Sequence, residues 1–177
     1  NLCYGTVYGG FNDVGHGGGL FLNQTWGTLD NMDIHHNTAS MNGGGVWSSE
    51  GSAWTMTNSN VSDNVAPYNG GGFGFWNHNG DNLNATLINV TIENNTAQPG
   101  WFVGHGGGVW ANNSNTIFQD CIIRNNTAGG NGGGINYFEG GWPELYNCVI
   151  DGNTSDDGGG VYVHHDNGSN NNGLTMD

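Results

Sequence analysis

Six times in this chain three consecutive glycines lead into an apolar residue, at nearly constant spacing. The runs open at Gly17, Gly43, Gly70, Gly106, Gly132 and Gly158 and feed Leu20, Val46, Phe73, Val109, Ile135 and Val161. The steps between them are 26, 27, 36, 26 and 26 residues, the long one carrying an insertion near 98–105. Ahead of each later run stands Asn-Thr-Ala or a close variant, at Asn37, Asn64, Asn95, Asn126 and Asn153. An aliphatic precedes each of these asparagines by three residues: Ile34, Val61, Ile92, Ile123 and Ile150. Self-similarity at a fixed period marks a repeat architecture, in which each unit buries its apolar face only against its neighbours.

Within one repeat lie three short runs of alternating apolar and polar residues, separated by corners rich in Gly and Asn. That alternation is the period of a strand. Three strands in about 27 residues predict an all-β, single-stranded, right-handed parallel β-helix of about six coils, filling residues 1–177 as one domain. Coils stacked ~4.8 Å apart enclose one continuous core and place equivalent residues directly above one another. The five isoleucine or valine positions then form an aliphatic stack. The five asparagines form a ladder, each amide bonding to the next along the axis.

Composition narrows what such a solenoid can do. The chain has 35 Gly, one Lys or Arg against 15 Asp plus Glu, and a formal charge of −14. A single cation excludes the counterion-release binding that drives nucleic-acid association. It also removes electrostatic attraction to anionic lipid, and no apolar run reaches the ~20 residues that span a bilayer. The acidic, amide-rich surface suits a secreted protein at the cell surface or beyond. Because residue 1 is Asn, the chain is expected to be a mature secreted species or a window of a longer array.

An aliphatic strand, Asn-(Thr)-Ala, a short spacer and Gly-Gly-Gly-[Val/Ile/Leu/Phe] together resemble the repeats of right-handed parallel β-helix surface proteins. The similarity is greatest to the polymorphic outer-membrane protein type, which pairs a Gly-Gly-Ala-aliphatic motif with an Asn-bearing strand. Here the third residue is Gly. The resemblance covers nearly the whole chain and implies the fold; adhesins, lyases, tailspikes and filaments all share it.

Several residues are candidates for chemistry. Cys121 and Cys148 occupy one repeat position, so they are either a disulfide between adjacent coils or two buried thiols in a site also held by Met32 and Val90. Asp151, Asp156 and Asp157 gather carboxylates at corners and are candidate Ca²⁺ ligands; a solvated acidic corner is the alternative, and no other cofactor is expected. Nine Asn-x-Ser/Thr sequons occur, and those at Asn84, Asn112 and Asn167 are expected on loops open to glycosylation. Gly15-His16-Gly17, Gly104-His105-Gly106 and the pair Asp156-Asp157 resemble elements of polygalacturonase-type hydrolases. The cationic clamp such an enzyme uses on its acidic substrate is missing, since Arg124 is the one cation. No catalytic residue is therefore assigned. The pairs His35-His36 and His164-His165 are read as pointing to opposite strand faces, a poor geometry for one metal ion. Trp47 and Trp110 share an outward position with Phe21 and Tyr162, forming a strip that either stacks on sugar rings or is covered by residues 98–103.

The ends suggest an assembly. The chain stops at Met176-Asp177 within an apolar-x-Asn pattern and begins Asn1-Leu2-Cys3, so the start of one copy would continue the end of another, with Leu2 in the place of Met32. A non-closing contact of that kind generates a filament. The expected function is a secreted structural subunit that stacks head to tail. A glycan-binding adhesin is the alternative, and a polysaccharide-active enzyme a second one.

Overall fold

In the computed structural model the described residues are 2–3 (backbone only), 15–77, 83–97, 103–164 and 175–176. The alternating runs are strands, every recorded strand pairing is parallel, and the coil is the expected right-handed β-helix. One sheet stacks the six strands that follow the glycine triplets, in register Leu20↔Val46↔Phe73↔Val109↔Ile135↔Val161. Six stacked strands enclose five full turns. A second sheet holds Ala53–Ser62 and Asn84–Glu93 as continuous strands, flanked by turns in which the same stretch is split in two. A third sheet is short, made of Val65–Ala66, Thr96–Ala97 and Thr127–Ala128. No helix among the described residues is long and apolar enough to cross a membrane.

Inward side chains stack as columns through the turns. Ile34, Val61, Ile92 and Ile123 are fully buried, as are Met56, Leu87 and Phe118 in the next column. The glycine-led strands contribute Val46, Phe73, Val109 and Ile135, again without exposure. Bulk is exchanged between facing columns. Where Trp54 enters the core it faces Ser48, whose Oγ accepts the indole N–H at 2.9 Å. One turn later the small residue is Ala85, and Phe75 fills the space against Trp54 at 5.9 Å between ring centroids.

The asparagine ladder is present and runs further than side chain to side chain. Asn37, Asn64 and Asn95 each donate Nδ2–H to the Oδ1 of the next asparagine, at 2.8, 2.9 and 3.0 Å, and Asn126 donates to Asn153 at 3.0 Å. The same Oδ1 also accepts the backbone N–H of the preceding rung's asparagine, at 2.9–3.0 Å. The second amide hydrogen goes to the carbonyl of an aliphatic one rung back, as from Asn95 to Val61 at 2.9 Å. Each interior amide thus satisfies its own donors and those of its neighbour while fully buried, as a polar group in a core must.

That ladder explains the third glycine. The first residue of each triplet turns the chain at φ between +63° and +68°. A Cβ on the second, for instance Gly44, would lie 2.4 Å from the Gly71 carbonyl oxygen of the next turn. A Cβ on the third, Gly45, would meet both the Gly72 oxygen at 2.8 Å and the Asn64 amide at 2.9 Å. Alanine at that place would push into the ladder, so the stacked amides and the glycine exclude one another's alternatives.

Two further columns of asparagine do different work. Asn31, Asn58, Asn89, Asp120 and Asn147 hold φ between +49° and +55°, and so bend the strand at a left-handed corner. A second corner runs through His36, Asp63, Asn94, Asn125 and Gly152. Asn and Asp enter this region at the lowest cost after Gly, which accounts for their frequency at corners.

Candidate functional site

Outward residues of the glycine-led sheet form two columns. The first reads Phe21, Trp47, Gly74, Trp110, Asn136, Tyr162, and the second Asn23, Ser49, Trp76, Asn112, Phe138, His164. A third column precedes the triplets: His16, Asn42, Asn69, His105, Asn131 and Asp157. In this third column a side-chain acceptor takes the backbone N–H of the next turn, Asn42 from Asn69 at 2.9 Å, Asn69 from His105 at 3.1 Å, and His105 Nδ1 from Asn131 at 2.9 Å. It is a second ladder, half amide and half imidazole.

The aromatic strip is not continuous, and Trp47 is not part of its open surface. Its indole is 2% exposed, stacked 4.3 Å from the His16 ring on one side and 6.2 Å from Trp110 on the other. Gly74 makes this possible, because a Cβ there would stand 2.4 Å from Trp47 Cε3. Gly74→Ala is expected to expel the indole from its slot; the tryptophan emission of the variant should shift to the red, and an unchanged spectrum would contradict the packing.

Beyond Trp110 the three columns enclose a groove of about 320 Å³, lined by Trp110, Phe138, Tyr162, His105, His164 and three asparagines, Asn69, Asn131 and Asn136. Phe138 and His164 stack at 5.2 Å and the rings of Tyr162 and His164 lie nearly parallel at 6.4 Å, giving the groove an aromatic wall. On its floor, between Trp110 and Tyr162, sits Asn136. Its Nδ2 donates to the Asn131 carbonyl at 3.4 Å, while its buried Oδ1 has no partner. Among the described residues no carboxylate lines the groove.

His105 holds its proton state by position. Burial pushes its pKa, and that of His16, below the ordinary 6.5. Nδ1 of His105 accepts a backbone N–H, so the neutral ring carries its hydrogen on Nε2. A histidine whose folded pKa is depressed contributes stability that is fully present above the ordinary value and is lost as pH falls through the lowered one. Thermal stability should therefore fall as pH drops below about 6.5. His105→Asn, which supplies the acceptor used at Asn42 and Asn69, should flatten this dependence; an equally steep loss in the variant would contradict it.

Cys121 and Cys148 are stacked on adjacent turns as the repeat requires, but they are free thiols rather than a disulfide. The thiols lie within reach of backbone carbonyls, Cys121 of Leu87 at 3.4 Å and Cys148 of Phe118 at 3.5 Å. The side-chain contact between the two sulfurs pushes Cys121 up, with burial adding to it, and brings Cys148 down to about 7, with burial opposing the fall. Iodoacetamide should thus modify Cys148 with a midpoint near pH 7 rather than at the ordinary value of 9.0. Peptide mapping by mass spectrometry would locate the adduct, and equal labelling of Cys121 would refute the asymmetry.

The three candidate calcium ligands do not converge. Asp151 pairs in register with Arg124, whereas Asp156 and Asp157 lie across from Gly130 and Asn131. Among the described residues no three His, Cys, Asp or Glu side chains come together to hold a metal. Stacking by turn separates them, because acids close in sequence around a corner fall on different columns. Arg124 pairs with Glu93 at 2.7 Å, one turn away on its other side. His35 and His36 do meet, Nδ1 to Nδ1 at 2.8 Å, because His36 stands at a left-handed corner and not in a strand. Asn84 and Asn112 lie on strands and not on loops, Asn84 exposed and Asn112 half-buried. Asn167, His165 and most of the 98–105 insertion lie outside the described residues.

At the C-terminal end Met176 pairs with Leu145, the column expected for it. At the other end the expected register is corrected by one residue: Leu2 stands opposite Asp33 and Cys3 opposite Ile34, so Leu2 does not take the place of Met32. A match of three residues in an Asn-rich chain leaves a strand free to slip by one, and one residue reverses its faces. Asn1 and Asp177 lie outside the described residues.

Among the described residues the end of the stack is open. A cavity of about 420 Å³ is lined by Leu145, Cys148, Ile150 and Met176, which continue columns that are core in earlier turns, with Met176 itself 59% exposed. Among the described residues a Cβ at Gly160 would meet Ile150 Cγ2 at 3.5 Å, whereas at Gly134, one turn before, it would meet the Gly160 oxygen at 2.5 Å.

Comparison with known proteins agrees with this architecture. The family described as "right handed beta helix region" matches residues 7–174. No curated protein and no solved structure gives a significant match. Repeat, register and family match together place the chain in the right-handed β-helix family.

Proposed function

We propose that this chain is a secreted or cell-surface structural protein whose turns are extended, end to end, by the turns of a further copy. The observation that carries the reading is the open C-terminal face. Among the described residues its core columns run out at Met176, Cys148 and Ile150 around a cavity, and its last glycines meet no carbonyl of a following turn, whereas every earlier rung does. An incoming coil would find the same partners as an interior one: aliphatic columns, a strand edge, and the Asn153 amide at the end of the ladder. Heterologous stacking of this kind does not close, and it builds a fibre. The corrected register of Leu2 and Cys3 means that the joint rests on strand edges and columns and not on a direct run-on of the sequence. Repulsion between subunits of charge −14 makes association favoured by salt.

Negative-stain microscopy of the natively secreted material, paired with its intact mass, tests this. Fibres built from a chain of this length are expected. Dispersed particles at high concentration and high salt would overturn the proposal, and a longer covalent chain would replace copies by further repeats. The polymorphic outer-membrane protein likeness belongs with this reading as a surface-exposed role. Glycan binding is a second role that the side groove supports.

A further inference from the structure

We propose that the groove between Trp110 and Tyr162 is a binding site for an uncharged sugar chain, held by ring stacking on its aromatic residues and by hydrogen bonds to Asn136 and His105. The proposal does not depend on end-to-end stacking, since the groove opens on the flank of the coil.

The first support is an unmet need. Asn136 is 2% exposed, its Oδ1 has no partner, and it lines the groove. A buried acceptor left unpaired is costly, and an O–H donor arriving in the groove would satisfy it. The second is complementarity. His105 accepts at Nδ1, so its Nε2 presents a hydrogen, and the amides of Asn69 and Asn131 lie along the same edge. Donor and acceptor therefore face one space, the arrangement that recognises hydroxyl groups.

Third, the walls suit a sugar ring. Trp110, Phe138 and Tyr162 offer flat apolar faces to the C–H face of a pyranose, while the polar groups are left to its hydroxyls. Trp110 and Tyr162 are two rungs apart in one column, roughly 10 Å, a span of about two residues of a sugar chain. The volume, about 320 Å³, is of the size of small-ligand sites.

Charge selects among sugars. Among the described residues no Lys, Arg, Asp or Glu lines the groove, the chain carries −14, and burial favours the neutral form of His105. A uronic acid, a sulfated sugar or a nucleotide would meet repulsion with no cation to offset it. An uncharged hexose chain meets none.

The test is titration of the full chain with neutral oligosaccharides of four to six residues, of glucose, mannose, galactose and N-acetylglucosamine type, alongside oligogalacturonate. Tryptophan fluorescence and calorimetry are the readouts. Saturable binding of at least one neutral series is expected, about tenfold weaker in Trp110→Ala and in Tyr162→Ala. Asn136→Leu should remove it. Because Asn136 is buried, circular dichroism must show that this variant folds, and Tyr162→Ala at the groove's open side carries the test if it does not. No saturable binding of any neutral series at millimolar concentration would overturn the proposal. So would preference for oligogalacturonate, or binding that both aromatic variants leave unchanged.

Discussion

Gly134→Ala should prevent the chain from folding, whereas Gly160→Ala, one turn later in the same column, should leave the isolated subunit as stable as before. At Gly134 the added methyl would stand 2.5 Å from the Gly160 carbonyl oxygen and 3.0 Å from the Asn153 amide. Both are held by hydrogen bonds from the turn before, the Gly160 carbonyl from the Ile135 N–H and the Asn153 oxygen from Asn126. Relief would require two turns to separate, with loss of parallel hydrogen bonds and of the amide stack. A cost of more than about 4 kcal/mol is of the order that unfolds a domain of ordinary stability. At Gly160 the same methyl makes an ordinary contact with Ile150 at 3.5 Å. Thermal melts followed by circular dichroism would measure both. A Gly134→Ala variant that melts within a few degrees of the native chain would show that the turns are not packed this closely.

The second large effect is at the middle of the amide ladder. Asn95→Ala should cost about 3–6 kcal/mol, since it orphans several buried groups at once. Asn64 loses the acceptor of both its backbone N–H and its Nδ2–H, and the Val61 carbonyl loses its donor. Asn126 Oδ1 loses the Nδ2–H of Asn95. The site is fully buried, so the orphaned groups have no bulk water to turn to. Asn95→Asp should recover little, because it keeps the acceptor but removes the donor and buries a charge. Urea unfolding gives the number directly. A loss below about 1 kcal/mol for Asn95→Ala would mean that the ladder decorates the fold without holding it.

The fold was legible because its physics repeats. One coil's alternation is weak evidence, but the same apolar, amide and glycine positions recurring down the chain make sense only if those positions stack. The ladder at Asn37 to Asn153 followed from that register alone. Other asparagines were harder to interpret, since Asn31 and Asn58 serve as left-handed corners and a sequence does not state φ. The clue was present in the apolar-x-Asn spacing, where the amide recurs just where a strand would have to bend.

The site was less legible, for a related reason. Trp47 and Trp110 share a column, and the column alone made both surface aromatics. The glycine at position 74 decides otherwise, because it leaves the slot into which the Trp47 ring folds. The groove beside Trp110 draws on three columns, two of them outward positions of one sheet and the third the residue ahead of the glycines. Its defining feature, a buried amide oxygen without a partner, is a property of packing and not of pattern. The acids behave the opposite way: Asp151, Asp156 and Asp157 are near one another along the chain, yet among the described residues no three potential ligands come together.

End-to-end stacking is tested most directly by sedimentation velocity of Gly160→Ala beside the native chain, at increasing concentration and salt. If a further coil settles on the last turn as each coil settles on the one before, its carbonyl must approach position 160 as the Gly160 carbonyl approaches Gly134, at 2.5 Å. The native chain should then sediment as growing polymers, and Gly160→Ala as a folded monomer at every concentration. Identical sedimentation of the two, whether both polymeric or both monomeric, would contradict the account.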